Sequence, residues 1–108
     1  MLALFWQLVI AHAVTDYALQ SLFMAEHKAP GSPPLDGEIV WPWILAAHAL
    51  VNAGGVLAVT GSLPLSMLEA MLHGLVDYGK GRCAFGFHAD QSLHIATKVL
   101  IAALATWS

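Results

Sequence analysis

The sequence predicts an all-α integral membrane protein, a single domain over residues 1–108 folded as a four-helix bundle. Three observations lead there. Hydrophobic residues make up 58% of the chain and charged ones only 10%, whereas a soluble domain carries about 25% charged residues. Loop-forming clusters divide the apolar stretches at lengths that suit membrane-spanning helices. Within those stretches ionisable residues recur every fourth position, as in Glu69, His73, Asp77 and then Asp90, His94, which stacks them on one helix face.

The first helix runs from Met1 to about Met24, opening on Leu-Ala-Leu-Phe-Trp-Gln-Leu-Val-Ile-Ala. A cleaved signal peptide needs a positive segment before its apolar one, and the first cation here is Lys28. The helix is therefore read as retained. Pro30 to Glu38, dense in Pro, Gly, Ser and Asp, forms the first loop. Val40 to Val59 forms the second helix, about 30 Å long at about 1.5 Å per residue, the thickness of a hydrocarbon core. Gly54 and Gly55 within it permit close approach of a neighbour. Thr60 to Leu63 is a tight connection, and Pro64 suits the first turn of the third helix. That helix runs to about Tyr78, with Gly79 and Gly81 as its stop. Gly81 to Ala89 is the last loop, and Asp90 is the expected N-cap of a fourth helix ending near Trp107.

Charge and aromatic residues orient the bundle. Lys28, Lys80 and Arg82 fall in the first and third loops, which emerge on one side. The positive-inside tendency makes that side cytoplasmic and puts both termini outside, in a bacterial inner membrane. Trp41 and Trp43 lie at the cytoplasmic end and Trp6 and Trp107 at the other, as two aromatic belts would. With four Lys and Arg in all and a net charge of −3, no basic tract is present for nucleic acid. The one cysteine, Cys83, forms no intrachain disulfide and reads as a small buried or interfacial hydrophobe.

Each helix carries one histidine followed four residues later by a polar group: His12 and Asp16, His48 and Asn52, His73 and Asp77, His94 and Lys98. The segments 11–17 (Ala-His-Ala-Val-Thr-Asp-Tyr) and 72–78 (Leu-His-Gly-Leu-Val-Asp-Tyr) are alike, as two repeated helix pairs would make them. Counted from the cytoplasmic end, these residues lie between roughly 3 and 18 Å deep. The common depth predicts one polar cluster in the cytoplasmic half of the bundle.

Imidazoles and carboxylates suit a divalent metal such as zinc, manganese or iron, and bundle cores hold metals with ligands from facing helices. His12, Asp16, His48, His73, Asp77 and His94 are the candidate ligands. Glu69 and Asp90 are the candidate catalytic carboxylates, as base or as partner to a ligand. Other readings stay open. Intramembrane histidines also hydrogen-bond one helix to the next, and Asp16 and Asp77 can pair with Lys98 as structural ion pairs. A cation at Lys98 argues against a second metal unless it binds a carboxylate or a substrate phosphate. Glu26, His27 and His88 read as solvated residues at the water boundary, as does Gln20 in the absence of a substrate.

On Ala11-His12 with Asp16 and Leu19-Gln20, Met24 followed by Lys28, His48, His73 with Asp77 and Lys80, and Asp90-Gln91 with His94, the chain resembles a family of small bacterial and phage membrane proteins, domain of unknown function 3307. The resemblance covers nearly the whole chain except the loop from Ala29 to Glu38. It implies an integral membrane protein and assigns no activity. A looser likeness, in fold type and His/Asp content only, is to membrane-bound metal-dependent hydrolases.

Two functions from different classes follow as expectations. One is a metal-dependent hydrolase of a lipid or lipid-linked phosphate, with Lys80 and Arg82 on the anionic headgroup and Lys98, Gln91 and Gln20 as further substrate contacts. The other is a non-enzymatic membrane protein: an oligomeric channel or proton relay, or a phage factor acting on the host envelope. Membrane lipid is the expected partner, with self-association into a homo-oligomer in the second case.

Overall fold

The computed structural model describes residues 1–82 and 85–107; Cys83, with its expected buried or interfacial role, lies outside them. Among the described residues the chain forms α1 Leu2–Ala13, a π-helical segment Val14–Ala18, α2 Leu22–His27, α3 Trp41–Thr60, α4 Leu63–Gly81 and α5 Phe87–Trp107. The expected all-α architecture is present, with five α-helices in place of four. The long helices form a closed ring: α3 packs on α1 and α4, and α5 packs on the same two. The body measures 47 × 24 × 21 Å.

The additional helix comes from a break in the first one. Leu19 N–H donates to Val14 O at 2.8 Å, a bond one residue longer than an α-helix makes. Thr15 Oγ1 donates to Ala11 O at 2.9 Å just before it, so the wide turn sits beside a side chain already bonded to the backbone. Ser21 then adopts an extended conformation, and its Oγ accepts from Met24 N at 3.1 Å, capping α2 afresh. A continuous helix to Met24 would carry Lys28 about 18 Å along the axis from Asp16. The break instead returns Lys28 to the mouth of the bundle.

Elsewhere the boundaries shift for identifiable reasons. α3 begins and ends one residue later than the sequence predicts and stops at Gly61, whose φ of +67° suits glycine. Ser62 Oγ caps α4 by accepting from Leu65 N at 3.3 Å, with Pro64 in the first turn as expected. Gly79 and Gly81 do not stop α4 at Tyr78; the helix continues to Gly81. Both glycines admit neighbours, since a Cβ on Gly79 would stand 2.8 Å from Phe85 Cε1 and one on Gly81 2.7 Å from Pro30 Cδ. Gly55 does likewise, with Thr15 Cγ2 3.1 Å from its would-be Cβ, whereas Gly54 meets nothing within 4 Å. Asp90 is not an N-cap. α5 starts at Phe87, the Asp90 amide already donates to Gly86 O at 3.0 Å, and the carboxylate is directed into the bundle.

Polarity is inverted across the fold. Among the described residues, thirteen buried residues are polar or charged and six are apolar. On α4, Ser66, Glu69, His73 and Asp77 are buried while Leu63, Met67, Met71 and Leu75 are exposed on the opposite face. α1 and the π-helical segment after it repeat the pattern, with His12, Thr15 and Asp16 inside and Leu2, Trp6, Ile10 and Val14 outside. The buried apolar cluster of Leu8, Val56, Ile101 and Ala102 fills the bundle beyond the polar residues. Trp6, Trp43 and Trp107 are exposed, and Trp41 lies 5.8 Å from the ring of Tyr78. Among the described residues α3 alone is long and apolar enough to cross a membrane by length and composition. α4 and α5 are as long but carry Glu69, Asp77, Lys80, Asp90 and Lys98.

Candidate metal centre

Spacing by fours puts the polar residues on inward faces, and the ring of helices brings those faces together. His48, Glu69, His73 and His94 have no exposed surface, and Asp16, Asp77, Asp90, His12 and Lys98 are buried beside them. The histidine rings run in sequence through the interior: His48 to His73 is 5.0 Å between centroids, His73 to His94 4.2 Å and His94 to His12 5.5 Å. The single cluster expected from common depth is present.

Two sets of ligand-type atoms stand out within it. Asp16, His48, His73 and Asp77 each offer one donor, all within 4.8 Å of one another. His48 Nε2 lies 2.9 Å from Asp16 Oδ1 and 3.4 Å from Asp77 Oδ2. His73 Nε2 lies 3.4 Å from Asp16 Oδ1 and 3.3 Å from Asp77 Oδ2. Nitrogen and oxygen donors at about 2.0–2.1 Å from a tetrahedral ion stand about 3.3–3.4 Å apart, so three of these four separations match such an ion. The second set is Asp77, Asp90 and His94. Here His94 Nε2 lies 3.0 Å from Asp77 Oδ1 and 3.3 Å from Asp90 Oδ1. Two buried atoms aimed into these sets, His73 Nε2 and Asp90 Oδ1, have no hydrogen-bond partner among the described residues. A buried polar atom left this way costs free energy, and a bound cation removes that cost.

The remaining residues surround the two sets. His12 belongs to neither; its Nε2 lies 3.3 Å from Gln91 Oε1 and 3.7 Å from Asp16 Oδ2. Gln91 Nε2 donates to Asp16 Oδ2 at 3.3 Å and to Asp90 Oδ2 at 2.9 Å, tying both aspartates together. Tyr17 Oη donates to Gln91 Oε1. Glu69 Oε1 lies 3.4 Å from His73 Nδ1, on the side of the ring away from the donor set. Glu69, fully buried, thus stands against the outer nitrogen of His73 and is not among the residues lining the cavity at Asp77 described below.

Lys98 does not pair with Asp16 or Asp77. Its Nζ donates to Glu69 Oε1 at 2.6 Å, because it projects one turn deeper than His94 and meets the carboxylate one turn before His73. Asp77 is met instead by Lys28, at 3.0 Å from Oδ2. From the sequence Lys28 reads as a loop cation and as part of the motif shared with the family, and neither reading brings it to Asp77. Lys80 lies 3.6 Å from Asp90 Oδ2, and its ammonium sits 5.1 Å above the Phe87 ring.

Gln20, Lys28, Lys80 and Asp77, with Ala25, Ala29 and Gly81, line a cavity of about 320 Å³ that opens onto the cluster. The Oε1 of Gln20 is buried without a hydrogen-bond partner among the described residues. Arg82 caps the end of α4 and is exposed, away from this lining. His88 and Glu26 are exposed, and His27 Nδ1 lies 2.8 Å from Phe23 O.

The bond between Asp16 Oδ1 on the π-helical segment and His48 on α3, 2.9 Å, has a counterpart between Asp77 Oδ1 on α4 and His94 on α5, 3.0 Å. The resemblance between segments 11–17 and 72–78 thus extends to a shared pairing with the following long helix.

No curated protein and no solved structure matches the chain, and the looser likeness to membrane-bound hydrolases has no counterpart among these comparisons. A family pattern does match, over residues 4–108. By that match across essentially its whole length, the chain belongs to the family described as proteins of unknown function, DUF3307.

Proposed function

We propose that the protein is a metal-dependent membrane enzyme, a hydrolase of a lipid or lipid-linked phosphate, with its reactive centre at Asp16, His48, His73 and Asp77. The observation that carries this is the buried four-donor set, whose separations fit a first-row divalent ion such as zinc, manganese or iron. Inverted polarity supports the membrane setting. An apolar outside around a charged inside is costly in water and suits a bilayer, where ionisable groups face the bundle interior.

A divalent ion held by Asp16, His48, His73 and Asp77 would supply an activated water at neutral pH and polarise a phosphoryl oxygen. Hydrolysis would form a bond from the water oxygen to phosphorus and break the ester P–O bond, with the proton given up by the water passing to the departing oxygen. The chain's own residues do the rest. Glu69 fixes the ring of His73, while His12 and Gln91 hold the far oxygen of Asp16. Lys28 and Lys80 line the cavity that leads to Asp77, where they attract an anionic headgroup. The same end of the bundle carries the loop cations, which supports a cytoplasmic mouth with both termini outside.

Beyond Glu69 and Lys98 the interior is closed by Leu8, Val56, Ile101 and Ala102, which favours an enzyme over a proton relay through one chain.

Detergent-purified protein is expected to contain a stoichiometric transition metal that His73→Ala loses, measured by elemental analysis, and to release phosphate from a phosphatidate in mixed micelles only when metal is bound. Metal-free wild-type protein that dissipates a pH gradient in liposomes would establish the relay instead. For orientation, in a Cys83→Ser background, an impermeant maleimide added outside the cell should label a cysteine appended after Ser108 and spare Gly31→Cys. The reverse pattern inverts the topology.

A further inference from the structure

We propose that the cluster holds two divalent cations bridged by the carboxylate of Asp77, the first among Asp16, His48 and His73 and the second on Asp90 and His94. The inference rests on the metal-binding reading above and concerns how many ions the site takes.

Asp77 presents its two oxygens to different imidazoles. Oδ2 faces His73 at 3.3 Å and His48 at 3.4 Å, while Oδ1 faces His94 at 3.0 Å. It is the one residue common to the two donor sets. One ion on one side of this carboxylate leaves the other set without a cation. Each set also contains a buried atom with no hydrogen bond, His73 Nε2 in the first and Asp90 Oδ1 in the second. A single ion relieves one of these and leaves the other.

Spacing agrees. The rings of His73 and His94 stack at 4.2 Å with an interplanar angle of 27°, and both direct Nε2 towards Asp77. Ions held by two such rings would stand close to the separation of about 3.5–4 Å found in two-metal hydrolytic sites. The objection to a second cation is the charge on Lys98, one turn from His94. That charge is matched by Glu69 at 2.6 Å, with both side chains buried. The pairing offsets its repulsion of an ion at Asp90 and His94.

Asp90 is thereby assigned to a cation and not to proton transfer. Two divalent ions on three aspartates leave an excess of positive charge, which Lys28 and Lys80 extend towards the cavity. The favoured substrate is accordingly a phosphate ester able to span both ions.

Cobalt(II) is the probe, since it accepts the same nitrogen and oxygen donors and is paramagnetic. The full chain, purified in detergent, stripped with chelator, reloaded with cobalt and dialysed, is expected to retain two cobalt ions per chain. Their magnetic coupling should make the electron paramagnetic resonance intensity far lower than for the same amount of isolated cobalt. His94→Gln and Asp90→Asn should each retain one ion and regain the uncoupled signal. One uncoupled ion per wild-type chain overturns the pair and leaves the single-ion enzyme standing. No retained cobalt overturns the pair and the metal reading together. Should either variant fail to fold, the wild-type stoichiometry and coupling still decide.

Discussion

Asp77→Asn is expected to strip metal from the whole cluster, with a loss of affinity of at least about a hundredfold, since changes to residues that merely support a ligand already cost 10–100-fold. Asparagine keeps the volume but replaces one anionic oxygen with an amide nitrogen that carries two hydrogens. That nitrogen would face either His94, now 3.0 Å from Oδ1, or His48 and His73, now 3.4 and 3.3 Å from Oδ2. Either way at least one imidazole loses the anionic oxygen it faces, and both donor sets lose their shared charge. The competing role for Asp77 is as the ion-pair partner of Lys28, at 3.0 Å. The two roles separate in the Asp77→Asn, Lys28→Met double variant. If Asp77 serves only the ion pair, removing both charges should restore stability with metal content unchanged throughout. If it is a ligand, the double variant folds but stays metal-free. Metal per chain after dialysis and thermal unfolding in detergent distinguish the outcomes, and full metal content in Asp77→Asn alone would remove Asp77 from the site.

What was legible in the sequence is what helical periodicity determines. His73 and Asp77, or His94 and Asp90, share a face because they are four residues apart, and no other element is needed to know it. The convergence of His12, His48, His73 and His94 followed from counting residues inward from the loops, and the ring centroids bear it out. Lateral pairing was not legible. Whether Lys98 meets Asp77 or Glu69 depends on how α5 is rotated and shifted against α4, which local spacing does not encode. Depth alone also failed to separate His12 from the other histidines, because it gives height along the axis and not position around it. The π-helical segment was invisible for a related reason. It widens the backbone bonding, as between Leu19 and Val14, without any distinctive residue type, yet it is what redirects α2 and brings Lys28 to Asp77. Asp90 was misread because a carboxylate at a helix start fits an N-cap by type. Its side chain is instead directed at His94 and Gln91.

Lys98→Met is expected to destabilise the fold by about 3–5 kcal/mol, the usual consequence of leaving the partner of a buried ion pair alone. Lys98 and Glu69 are both fully enclosed, their charged atoms 2.6 Å apart, and they border the apolar cluster of Leu8, Val56 and Ile101. No water-facing side is available to Glu69 once the ammonium is gone, and its Oε2 is already without a partner. Replacing both residues, as Glu69→Leu with Lys98→Met, should return most of the lost stability, because buried pairs exchanged for apolar residues of similar volume are often neutral or better. The same double variant should nevertheless bind metal about 10–100-fold more weakly. Glu69 Oε1 stands 3.4 Å from His73 Nδ1, and without it the ring loses the group that fixes its orientation towards Asp16 and Asp77. Stability and metal affinity therefore part company in one protein: unfolding in detergent recovers while cobalt retention does not. Wild-type stability in Lys98→Met would show that the pair carries no such load, and wild-type cobalt affinity in the double variant would detach Glu69 from the metal centre.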